Sequence, residues 1–203
     1  MEVEQIEPGL WRWTGFHEEW KQDVGCVYVE TGAGICLFDP LVPPEDSERF
    51  LAALDRDVER LGLPVHVFVT VYWHARSAGE LAARYGAEVW ASSRIRAAVQ
   101  RRAGQVHAFR PGDPLPGGVE AIATPKRSDT LYFLRDRGAL VCGDVILGGL
   151  RFCPESWLPA GVRHAELRAG LQPLLGLPIR HVLVSHGEPA IGDDAGALRV
   201  LLA

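Results

Sequence analysis

The sequence has little lysine, one methionine and no surplus of basic charge. Lys21 and Lys126 are its only lysines, and acidic residues outnumber basic ones for a net charge of −5. Such a chain cannot neutralise a run of phosphates, which excludes a generic nucleic-acid binder. No apolar run reaches the ~18–20 residues needed to cross a bilayer, so no membrane span is expected. The start, Met1-Glu2-Val3-Glu4-Gln5, is acidic and lacks the basic-then-apolar pattern of a signal peptide. Cys26, Cys36, Cys142 and Cys153 form no C-x-x-C pair, and three lie in apolar stretches. They read as small buried hydrophobes of a reducing, cytoplasmic protein, with Cys153 the least buried-looking. There is no G-x-S-x-G elbow, no P-loop and no G-x-G-x-x-G after a strand, which removes three common sources of chemistry.

What is present reads as one α/β domain over residues 1–203. Hydrophobic residues make up 47% and charged residues 23%, an ordinary globular balance that excludes disorder. Residues 25–30 (GCVYVE) and 34–38 (GICLF) predict a hairpin, and 65–71 (VHVFVTV) a strand covered on both faces. Phe50, Leu51, Leu54, Val58 and Leu61 recur at helical spacing within a helix over 45–61, which Gly62 stops. Further helices are expected at 79–85 and 93–103, with a short strand at 88–91. After an irregular loop at 111–118 come strands at 119–123, 131–134 and 139–142. A helix at 164–175, distorted by Pro173, a buried strand at 181–185 and a last helix carrying Leu198, Leu201 and Leu202 complete the pattern. Chemistry in such folds gathers in loops at strand ends. Those loops follow Phe38, Val71, Ala123, Cys142 and Val184.

At these five loops the chain resembles the metallo-β-lactamase superfamily, in order and over essentially its whole length. The resemblance implies a four-layer αβ/βα sandwich with its site at one edge of two sheets, and hydrolysis assisted by one or two metals, most often zinc. The family pattern T-H-x-H-x-D-H-x-x-G is matched by Thr70 and Gly79, but Val71, Trp73, Ala75 and Arg76 stand at its four ligand positions. Arg127 stands where a further ligand histidine follows a Thr-Pro turn. Asp144, in Cys142-Gly143-Asp144, matches the bridging aspartate, and His186 matches the last ligand histidine. Asp39 matches a structural aspartate that orients the metal-binding loop.

Five of seven metal positions are thus changed. Val71, Trp73 and Ala75 offer no donor atoms, and arginine is a permanent cation. The expectation is therefore a metal-free, non-hydrolytic protein in which Arg76 and Arg127 pair with Asp144, since an uncompensated buried carboxylate is costly. A pocket of Trp20, Trp73, His74, Arg76, Lys126, Arg127, Asp144 and His186 would then hold a small anionic ligand, a carboxylate or a phosphate. One alternative is a divergent hydrolase with a single zinc or other divalent ion. In that reading a small loop shift brings His74 toward Asp144 and His186, and Glu80, Ser128 or Asp129 supplements the three. A scaffold or interaction protein is the other. His66 and His181 lie within strands and read as hydrogen-bonded sheet residues, while His17, His107 and His164 have no partner motif.

Overall fold

The computed structural model describes residues 1–203, apart from the side chain of Asp193. Seven strands form the first sheet, in sequential order. These are β1 (Glu2–Glu7), β2 (Leu10–His17), β3 (Gln22–Thr31), β4 (Gly34–Phe38), β5 (Val65–Val69), β6 (Glu88–Ser92) and β7 (Val106–Phe109). The first four pair antiparallel and the last four parallel. The parallel strands are joined by helices α1 (Ser47–Leu61), α2 (Ala78–Tyr85) and α3 (Arg96–Ala103). In the second sheet, β8 (Val119–Ala123), β9 (Thr130–Leu134), β10 (Ala139–Cys142), β13 (His181–Val184) and β14 (Ala190–Ile191) run in the order β14-β13-β10-β9-β8. A small ribbon, β11 (Ile146–Leu147) with β12 (Arg151–Phe152), stands apart, and α4 (His164–Leu171) and α5 (Ala197–Leu202) cover the second sheet.

Period-two alternation sorts each apolar strand between two cores. Ile35 and Leu37 of β4, and Val65, Val67 and Val69 of β5, face helices α1–α3. Cys36, Phe38 and Phe68 point the other way and meet Tyr132, Val141 and Leu183 of the second sheet. Leu140 and Cys142 of β10 and Val182 and Val184 of β13 then pack on α4 and α5. Three apolar layers between four layers of structure give the expected αβ/βα sandwich. Because both sheets are buried on both faces, their strands read as continuous apolar runs.

The expected hairpin, the first two helices and the buried strands all form. Pro173 ends α4 early, and Gln172–Gly176 continues as a 3₁₀ turn, because proline has no amide to donate inside a helix. Helix α3 starts at Arg96, later than the spacing predicts. Sequence reading misses β1, β2 and β7 and the two-residue strands β11, β12 and β14; β1 is mostly exposed and carries three glutamates, so it shows no apolar signal. Cys153, the least buried-looking of the four in sequence, is as fully buried as the others, and all four cysteines are free. No helix is long and apolar enough to cross a membrane.

Candidate functional site

All five anticipated loops meet at one edge of the sandwich. The ends of parallel neighbours β4 and β5 bring Asp39 beside the Thr70–Arg76 segment, and those of β10 and β13 bring Asp144 beside His186. Asp39 is the hub. Its Oδ1 accepts the Thr70 amide at 2.8 Å, and its Oδ2 accepts the Thr70 hydroxyl and lies 2.8 Å from His74 Nδ1. Asp39 has a φ of 49°, a conformation this network holds in place. Gly143 is needed for close approach, because a Cβ there would lie 2.6 Å from Thr70 Oγ1 and 2.9 Å from Asp129 Oδ1.

The Tyr72–Ala75 segment winds into a 3₁₀ turn, and this turn carries His74 inward. His74 is wholly buried, and its Nε2 lies 3.2 Å from Asp144 Oδ1. His186 Nε2 approaches the same oxygen at 3.2 Å. Asp144 Oδ2 accepts a hydrogen bond from Trp73 Nε1 at 2.9 Å, and Lys126 Nζ lies 3.7 Å from it. Lys126 Nζ is also 3.8 Å from Asp129 Oδ2, which accepts the Asp144 amide at 2.9 Å, and it sits over the Trp73 ring.

Burial and Arg76 lower the His74 pKa, but Asp39 and Asp144 outweigh them and raise it above its ordinary value. Burial pushes Asp144 up, yet contacts from His186, His74 and Lys126 reverse this and hold it well below the usual carboxylate range. Asp129 is pushed up to about 7, first by burial and then by Asp144, against the opposing pull of Lys126.

The donor set fits a metal ion. His74, Asp144 and His186 each offer a ligand atom within 4.8 Å of the others. His74 Nε2 and Asp144 Oδ1 are buried without any hydrogen bond, so both are available as donors. The Asp39 contact on Nδ1 is the outer carboxylate that metal-ligating histidines commonly carry, fixing the ring and its tautomer. Two imidazoles and one carboxylate, with space for a further ligand, make a catalytic type of set. Of the residues considered as supplements, Asp129 is buried behind Asp144, whereas Glu80 is exposed on α2.

The structure moves both arginines away from Asp144. Arg76 Nη1 donates to the Asp39 carbonyl at 2.8 Å and the Gly25 carbonyl at 3.3 Å, and its guanidinium lies over Trp20. It fastens the Asp39 loop to β3. Arg127 is exposed and lines a different cavity. In the β8–β9 turn, Asp129 N donates to the Lys126 carbonyl at 2.7 Å and Thr124 Oγ1 donates to it at 2.8 Å. This tight turn points Lys126 inward and Arg127 outward. The cation beside Asp144 is therefore an ammonium one position earlier.

A cleft of about 530 Å³ opens over the cluster, lined by Trp20, Gln22, Trp73, Lys126, Asp144, Trp157 and His186. Trp20 lies 5.7 Å from the His74 ring and is braced from behind by His17, stacked on it at 3.9 Å. Sequence reading missed Trp157, His17 and Gln22. Trp157, 46% exposed, carried a signal as a lone aromatic in a polar loop; Gln22 carried none. His66 and His181 are hydrogen-bonded strand residues as expected, to Glu88 and to the Gly192 amide.

Comparison with solved structures identifies the architecture. DIM-1 metallo-beta-lactamase superposes with a TM-score of 0.73 at 13% identity, over 99% of this chain and 94% of that one. A metallo-beta-lactamase from Pontibacter korlensis gives 0.68 at 20% identity over 98% of each chain. The metallo-beta-lactamase FIM-1 from Pseudomonas aeruginosa, solved in a mono-zinc form, gives 0.68 at 14% identity over 99% and 93%. No protein-family model and no curated protein matches the sequence. The chain has the metallo-β-lactamase fold.

Proposed function

We propose that this protein is a hydrolase that uses one divalent metal ion, zinc, held by His74, Asp144 and His186. The observation that carries this reading is the His74 geometry, with Nδ1 on Asp39 and a free Nε2 turned to Asp144 beside His186. The mono-zinc form of a structural neighbour is consistent with it. A divalent ion there supplies Lewis acidity and a hydrolytic nucleophile near neutral pH. The rest of the site is contributed by the chain. With an ion bound, Asp39 would accept the Nδ1 proton of His74 and so leave Nε2 as the ligand atom. Trp73 holds Asp144 Oδ2, leaving Oδ1 as donor. Lys126, the one lysine or arginine lining the cleft among the described residues, supplies the fixed charge that a second ion would otherwise provide, and attracts a small anionic substrate such as a carboxylate or phosphate ester. Trp20, Trp73 and Trp157 give that substrate an apolar wall and thin out water around it. Four buried free thiols support a cytoplasmic setting.

A second reading, a metal-free anion binder, is favoured by Lys126 alone, since an ammonium 3.7 Å from Asp144 already compensates that carboxylate. Metal analysis of protein purified without a polyhistidine tag separates the two. About one zinc, iron or manganese per chain, lost in His74→Ala together with esterase or phosphodiesterase turnover, supports the hydrolase. Metal-free protein that neither takes up added zinc nor turns over ester substrates supports the binder.

A further inference from the structure

Arg127 turns away from the cleft, and its new position defines a second cavity. Strands β6 and β7 are parallel neighbours, with Ser92 paired to Phe109 and the Ser93 amide donating to the Phe109 carbonyl at 2.8 Å. In this register Ser93 and Arg110 come next and Arg94 follows Ser93, so Arg94 and Arg110 leave from the same ends of β6 and β7 and line one cavity. Arg127 reaches the same place from the β8–β9 turn of the other sheet. The three line one cavity of about 440 Å³ at the junction of the two sheets. Each is exposed, and none has an acidic partner within 4.0 Å among the described residues.

The floor is polar and buried. Ser92 is 5% exposed, lines the cavity, and its Oγ has no hydrogen-bond partner. Asp129 also borders it; its Oδ2 accepts the Asp144 amide and lies 3.8 Å from Lys126, which offsets its charge, while its Oδ1 is buried without a hydrogen-bond partner. Asp113 does not neutralise the cluster with its side chain on a guanidinium; its Oδ2 accepts the Arg110 backbone amide at 2.8 Å. Three guanidinium groups that line one cavity without acidic partners repel one another and gain from an anion bound there. Their approach from three segments, with a hydroxyl donor beneath, suits a tetrahedral group with several acceptor oxygens better than a flat carboxylate.

We propose that Arg94, Arg110, Arg127 and the Ser92 hydroxyl form a second binding site, separate from the metal cluster, for a compact phosphate-class anion. The ligand is inorganic phosphate or pyrophosphate, or the terminal phosphate of a phosphomonoester. The site is independent of the hydrolase reading, because none of these four residues lines the aromatic cleft.

Isothermal titration of the full chain with pyrophosphate, phenyl phosphate and citrate tests it. Binding of a phosphate compound at this site, tighter than citrate, is expected beside the phosphate ester drawn into the Lys126 cleft. It should weaken about tenfold or more in Arg127→Ala and in Arg110→Ala, the scale of losing one charge-assisted hydrogen bond. His186→Gln, which alters only the other cleft, should leave it within about twofold. Preference for pyrophosphate or for phenyl phosphate tells the inorganic ligand from the ester. No binding by either phosphate compound, binding unaffected by both arginine variants, binding lost in His186→Gln, or tighter citrate binding each overturns the proposal.

Discussion

Asp39→Asn tests the metal reading at its most informative atom. The substitution is nearly isosteric, and the amide oxygen can still accept the Thr70 amide that Asp39 Oδ1 now accepts at 2.8 Å. At the other position an NH₂ group then faces His74 Nδ1, 2.8 Å away. A donor there forces the neutral ring to carry its proton on Nε2, the atom turned toward Asp144 and His186. That proton must be displaced before a metal can bind. Outer-sphere changes of this type cost about 10–100-fold in metal affinity, or ~1.4–2.7 kcal/mol. The assay is thermal unfolding with and without zinc, alongside titration against a competing chelator. At free zinc near 100 times the native Kd, the native protein gains ~2.7 kcal/mol. A variant bound tenfold more weakly gains ~1.4 and one bound 100-fold more weakly ~0.4. For a chain of this size the zinc-induced rise in Tm then falls from ~5–11 °C to between ~1 and ~6 °C. A folded variant with native zinc affinity would refute the argument that Asp39 sets the tautomer of a ligand.

Other perturbations follow from the same geometry. Lys126→Met removes a buried ammonium that lies 3.7 Å from Asp144 and 3.8 Å from Asp129. The metal-free protein should lose about 3–5 kcal/mol in denaturant melts, while zinc affinity rises because a competing cation is gone. Gly143→Ala puts a methyl group against Thr70 Oγ1 and Asp129 Oδ1, and should cost about 1–3 kcal/mol while displacing Asp144 and weakening metal uptake. Phe68→Ala empties the centre of the inter-sheet core, where Phe68 stacks on Phe38 at 5.0 Å and meets Tyr132 at 5.4 Å; a loss of about 3–5 kcal/mol in chemical denaturation is expected. Asp55 is held down to about 2 by Arg84 and Tyr85. Its folded pKa is depressed, so its stabilising contribution is present above its ordinary pKa of ~3.9 and disappears as pH falls through about 2. An NMR titration should place its midpoint there and move it upward in Arg84→Ala.

The architecture was legible because its signals are local and repeated. Runs such as Val65–Val69 and His181–Val184 can only be strands covered twice, and α1 carries its stripe and its stop in sequence. The site was legible as a set of five loops and as the pair Asp144 and His186. Side-chain direction within those loops was not. Whether residue 73 or 74 points inward depends on the 3₁₀ turn at Tyr72–Ala75, and whether residue 126 or 127 does depends on the Thr124–Asp129 turn. Turns of this type rotate each successive side chain through a large angle, so an alignment that is correct in position can be wrong in direction by one residue. Both arginine assignments failed for that reason, and His74 reached Asp144 for the same one.

The one-residue offsets are physically coupled. A carboxylate fixed as deeply as Asp144 demands positive charge or hydrogen-bond donors from whatever the neighbouring turns present. Val71 and Ala75 have none to give, so the β5 turn answers with Trp73 Nε1 on one oxygen and His74 on the other, and the β8–β9 turn answers with Lys126. Guanidinium groups do not serve here. Arg76 is used for bracing two carbonyls from below, and Arg127 is left for the opposite cavity. The outcome is an Asp144 with two unlike faces. Oδ2 is saturated by indole and ammonium, whereas Oδ1 meets only two imidazole nitrogens and has no hydrogen-bonded proton of its own. A site evolved merely to neutralise Asp144 would satisfy both oxygens alike. The unsatisfied oxygen between two histidines, one of them locked by Asp39, is therefore the strongest physical reason to expect an ion on that side.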